Sequence, residues 1–127
     1  MAVAVLDAAT EVDLVAAETA SLYHAHGEHA VEMPLAEFLA EAGGAGAIRA
    51  VVCESLRTVE LVADAEIDPA MLAAAVWRLT GRGWRVTVLV GLDRIGEAHG
   101  GLRGTPCTLQ SWWRDGDVVV FGAHEIP

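Results

Sequence analysis

Residues 59 to 90 constrain the fold of this chain more than any other stretch. Val59, Leu61 and Ala63 alternate as the inward side chains of a strand do. Asp68-Pro69 follows as a helix start: a carboxylate that accepts from the first free N–H groups, then a ring whose missing N–H is harmless in the first turn. Met71, Leu72, Ala75, Val76 and Leu79 supply one buried stripe as far as Gly81. Trp84 to Val90 is a nearly continuous apolar run rich in β-branched residues, which suits a central strand covered on both faces. A strand, a helix and a second strand in that order predict a right-handed parallel crossover.

The flanks extend this unit. The first 44 residues read as helical and acidic. Thr10 followed by Asp13 approximates a capping box, and Val12, Val15, Thr19, Leu22 and His26 repeat at helical spacing until Gly27 stops them. A second helix is expected from Pro34, with Leu35, Phe38, Leu39 and Ala42 on one face and Gly43 and Gly44 at its end. From Ile48 through Val51, Val52 and Ser55 the period is again helical, as far as Arg57. After the second strand, Gly91 and Asp93 lead into a short helix carrying Ile95, Ala98 and Leu102, closed by Gly104. Thr105 to Phe121 predicts two strands joined across Arg114-Asp115-Gly116-Asp117, where Asp-Gly supplies positive φ angles for a tight hairpin. The expected class is α/β: a small mixed sheet with a parallel β-α-β crossover, a C-terminal antiparallel hairpin and N-terminal helices packed on it. A chain of 127 residues has room for one domain, helical over 1–44 and sheet-containing over 45–127.

Charge narrows the function. Acidic residues number 18 against 8 basic ones, a net charge of −10, and no Arg or Lys precedes Arg49. Nucleic acid is bound by clustered cations that displace counterions, so no nucleic-acid partner is expected. Arg78, Arg82 and Arg85 read as a solvated rim at a helix C-terminus. Lys is absent, which excludes Schiff-base catalysis, a pyridoxal-phosphate anchor and a P-loop lysine. Cys53 and Cys107 have no CxxC spacing and read as buried free thiols. Apolar runs break well short of the roughly 20 residues a bilayer requires, and the start lacks the basic residues of a signal peptide. The expectation is a cytoplasmic protein with no membrane partner.

Three groups of residues carry candidate chemistry. His24, His26 and His29 with Glu28 place three imidazoles and a carboxylate within six residues, donors that a metal ion would accept. Their spacing resembles the H-x-H-x-D-H signature of the metallo-β-lactamase superfamily, with Glu28 in place of the Asp. It departs from that pattern in following an amphipathic helix and in having no later glycine-rich and histidine motifs. On one helix His24 and His26 point about 200° apart, so a shared ion requires Gly27 to break the helix. The second group follows from topology: ligands of open α/β sheets bind beyond the carboxyl ends of parallel strands, where Asp64, Glu66, Asp93 and Arg94 gather. Paired carboxylates there suit acid–base work or a divalent ion, and Arg94 an anionic group. Third, Trp112 and Trp113 are adjacent in a predicted strand and must point to opposite faces, so one is expected at an interface or a ligand groove.

Ala47 to Asp64, followed by Ile67 to Val90, resembles the phospholipase-D-like fold found as a sensor domain in bacterial and archaeal transcription regulators. In that family a helix leads into a strand, and a second helix ending in Arg-Gly precedes a strand of V-x-V type; Arg82-Gly83 and Val86 to Val90 stand in those places. The family's catalytic motif requires a His-x-Lys pair, and without Lys that phosphodiesterase chemistry is excluded. No basic helix-turn-helix is visible, so the resemblance implies a free-standing sensor that acts through a protein partner and binds its ligand near the strand ends. The sequence therefore points to a non-catalytic regulatory or ligand-binding domain, a homodimer that recognises a small molecule or a protein surface. The alternative is a small metal-dependent enzyme using the His24–His29 segment or the strand-end carboxylates. Neither reading specifies a cofactor.

Overall fold

The parallel crossover lies at the centre of the molecule. The computed structural model describes residues 8–40 and 48–127. In chain order these form α1 (Ala8–Ala25), β1 (Val31–Pro34), α2 (Leu35–Phe38), β2 (Ile48–Cys53), β3 (Thr58–Ala63), α3 (Pro69–Gly81) and β4 (Arg85–Gly91). A 3-10 turn (Leu92–Arg94), α4 (Ile95–Gly101), β5 (Cys107–Asp115) and β6 (Val118–Glu125) complete the chain. The six strands form one mixed sheet whose order follows the chain, β1-β2-β3-β4-β5-β6. β3, β4 and β5 are parallel, and the flanking pairs are antiparallel.

Two crossovers of one hand in a sheet laid down in chain order must put both helices on one face. Accordingly Leu72, Val76 and Leu79 of α3 and Ala98 of α4 join one core with Val59, Leu61, Val86, Val88 and Leu109 of the strands. Asp68 caps α3, its carboxylate accepting from the Ala70 N–H at 3.0 Å, and Pro69 stands in the first turn. α1 lies on the other face, where Val12, Val15, Ala16 and Ala20 pack with Val51, Val62, Leu89 and Trp112. Among the described residues no helix is long and apolar enough to cross a membrane.

Four local expectations are corrected. Residues 48–53 form a strand, not a helix: Ala50 and Val52 join the α3 core while Val51 and Cys53 join the α1 core. A strand buried on both faces loses its two-residue period and imitates a helical pattern. Pro34 ends β1 instead of opening a long helix, and α2 is only one turn; Ala42, Gly43 and Gly44 lie outside the described residues. Sheet structure therefore begins at Val31, inside the stretch expected to be wholly helical. α1 is already helical at Ala8, so Thr10 is not its cap. The hairpin closes between Asp115 and Val118, with only Gly116 of its two turn residues at positive φ (60°), the pattern of a II′ turn.

Candidate functional site

Side chains on β3, β4 and β5 divide cleanly along the strands. On the α1 face each strand begins polar and ends apolar: Thr58, Glu60, then Val62; Arg85, Thr87, then Leu89; Thr108, Gln110, then Trp112. The register sets these in rows, Thr58 opposite Arg85, Glu60 opposite Thr87, and Thr87 opposite Thr108. The apolar ends are covered by α1. The polar beginnings are the floor of an open groove of about 620 Å³, walled by Leu22 and Tyr23 of α1, by His26 just after it, and by Phe121 and His124 of β6.

Each wall has a local cause. The α1 stripe outruns the sheet: Val12, Val15 and Thr19 are buried, but Leu22 is 51% exposed and overhangs the groove with His26. Tyr23 reaches down to the floor, where its hydroxyl lies 3.1 Å from Thr58 Oγ1 and faces the Glu60 carboxylate. At the mouth, Ser55 Oγ donates to Glu28 Oε2 at 2.6 Å and ties the segment after α1 to the β2–β3 turn. That turn holds Leu56 over the groove through Arg57, a residue at φ 53°. The Arg57 guanidinium donates to the Arg82 carbonyl at 2.9 Å and stands 3.9 Å above the Trp84 ring.

Glu60 is the charged group most affected by this setting. Burial pushes its carboxyl above the ordinary range, against weaker opposing effects from the Tyr23 hydroxyl and His124. Burial likewise pushes the Tyr23 hydroxyl up, so it remains a protonated donor at neutral pH. Gln110 donates from its amide nitrogen to the Gly122 carbonyl at 2.9 Å, which leaves its amide oxygen as an acceptor.

The residues singled out by sequence fall elsewhere or fall apart. His24 and His29 stack with ring centroids 6.1 Å apart, and His24 Nε2 lies 3.2 Å from the Ala30 carbonyl. His26 turns away to the Leu22 carbonyl, 2.8 Å from Nδ1, and Glu28 is engaged by Ser55. Among the described residues no three His, Cys, Asp or Glu side chains converge as metal ligands. The strand-end group is also closed on itself. Asp64 accepts from the Glu66 N–H at 2.6 Å, Arg94 pairs with Glu97 at 2.8 Å, and the Asp93 carboxylate folds back over Gly91. The cavity bordered by Asp64 and Arg94 measures about 10 Å³, scarcely one water. The reason is topological: a crevice opens at strand ends where successive helices take opposite faces, and here α3 and α4 share one. Trp112 is buried (7% exposed) and Trp113 is 37% exposed, on opposite faces as adjacent strand residues must be.

The groove itself had a sequence signal. Thr58-Val59-Glu60-Leu61, Arg85-Val86-Thr87-Val88 and Cys107-Thr108-Leu109-Gln110 each alternate polar with apolar, which marks one wet face at the start of three neighbouring strands. Reading Trp84 to Val90 as covered on both faces passes over Arg85 and Thr87. Comparison with protein families, with curated proteins and with solved structures finds no match to this chain.

Proposed function

We propose that this chain is a ligand-binding domain that receives a small molecule in the groove between α1 and β6. The observation that carries the reading is the row of polar positions, Glu60, Thr87 and Thr108, on the floor of a cavity of about 620 Å³. Ligand sites are concave, largely apolar and furnished with a few convergent polar groups. Here Leu22, Leu56 and Phe121 supply the apolar walls. The resemblance of residues 47–90 to a sensor domain agrees with ligand binding and differs on its place, since the strand ends are filled.

The test is a fragment screen read by amide chemical shifts. Hits are expected on Thr58, Glu60, Thr87 and Thr108, and Thr87→Phe is expected to abolish them. Hits confined to the α3–α4 face, or no hits from the whole library, overturn the reading. A second copy is proposed along β6, an open edge on which Val118 is 62% exposed and adjoins the exposed Trp113 through the hairpin. Light scattering checks it: a dimer that Val118→Asp converts to a monomer is expected, and a wild-type monomer overturns it.

A further inference from the structure

We propose that the groove selects its ligand through a protonated nitrogen base, an amine, amidinium or guanidinium on an apolar or aromatic body, with Glu60 as the counter-ion. This deepens the ligand-binding reading above and rests on it.

Acceptors dominate the floor. Glu60 presents a carboxylate with about four acceptor positions, faced on one side by the Tyr23 hydroxyl. Gln110 has committed one N–H of its amide to the Gly122 carbonyl, which fixes the group and leaves its oxygen as an acceptor beside one remaining N–H. Thr87 and Thr108, side by side between them, accept as readily as they donate. A ligand that matches this set must bring N–H donors in number.

Its charge follows from Glu60. A carboxylate withdrawn from water is costly when ionised and unpaired, and burial already drives this one toward its neutral form. Beyond the weaker influence of His124, a cation seated beside it supplies counter-charge and charge-assisted hydrogen bonds, and so favours the ionised form. An anion at the same place would set like charges together in a partly dehydrated pocket. Arg85 is exposed at the start of β4, at the margin of the floor where water screens it. The net charge of −10 raises the local concentration of cations over the whole molecule. Leu22, Leu56 and Phe121 give the body of the ligand an apolar enclosure.

The test titrates tag-free protein, at constant pH and salt, with three near-isosteres: benzamidine (cation), benzamide (neutral) and benzoate (anion), each followed by amide shifts. Benzamidine is expected to move Thr58, Glu60, Thr87 and Thr108 with a Kd about tenfold or more below that of benzamide, and benzoate to move none of them. In Glu60→Gln the benzamidine affinity is expected to fall about tenfold while benzamide holds within about twofold. Benzamide or benzoate binding the groove as tightly as benzamidine overturns the cation inference and leaves the ligand-binding reading standing. Equal benzamidine affinity in wild type and Glu60→Gln also overturns it. Benzamidine that leaves the groove unmoved at millimolar concentration overturns it too, and the ligand-binding reading is then decided by the fragment screen alone.

Discussion

The two faces of the sheet show how differently one set of strands can be used. On the α3–α4 face, Val59, Leu61, Val86, Val88 and Leu109 meet two helices and are sealed. On the α1 face, one helix covers Val62, Leu89 and Trp112 and leaves the polar starts of the same strands open. The difference is one of supply: both crossovers deliver their helices to one side, and among the described residues the other side receives α1. Packing is therefore concentrated on one face, and the other keeps an open groove.

Mutations should break this contrast in graded steps. Leu61→Ala, on the sealed face, empties a position with no exposure and is expected to cost about 2–5 kcal/mol in chemical denaturation. Gly101→Ala tests the same side by overpacking, because a Cβ there runs into the Pro69 ring at the start of α3. A loss of about 1–3 kcal/mol in the same assay is expected.

Glu60→Gln examines the open face by pH. The folded Glu60 carboxyl titrates above its ordinary value of 4.5, so between those two values the unfolded chain has released a proton that the folded chain retains. Its contribution to stability is complete below pH 4.5 and is lost as pH rises through the folded value. The variant should therefore gain urea resistance over wild type near neutral pH, and the gain should shrink as pH falls toward 4.5; a constant difference overturns the assignment. Thr87→Val, on the groove floor, is expected to change stability by about 1 kcal/mol or less in either direction. Arg94→Ala removes an exposed ion pair with Glu97 and should register about 0.5 kcal/mol at most, with no effect on fragment binding.

The crossover was legible because each of its parts carries a separate signal. Asp68-Pro69 marks a start, Leu72 to Leu79 a stripe, and Val86 to Val90 a β-branched strand. β2 was illegible for the opposite reason, since burial on both faces removes the alternation that identifies a strand. The groove fell between these cases. Thr58, Glu60, Thr87, Thr108 and Gln110 carry ordinary alternation, yet they become a site only when the register sets three strands side by side. The His24–His29 segment drew attention through density of ligating side chains, but sequence spacing does not specify convergence, and a broken helix end sent these groups to separate partners.

The order of the strands also bears on how the molecule is made. Every strand hydrogen-bonds to its neighbours in sequence, so no pairing waits for a distant segment. β2–β3 and β5–β6 close tight turns, whereas the parallel pairings β3–β4 and β4–β5 form only once α3 and α4 are spanned, so the centre of the sheet sets the pace of folding. As the chain is made, the sheet grows at its newest strand while β1 stays the opposite edge, and β6 supplies the second wall of the groove. The groove therefore has both of its walls only once β6 has paired with β5, after the floor on β3, β4 and β5 is in place.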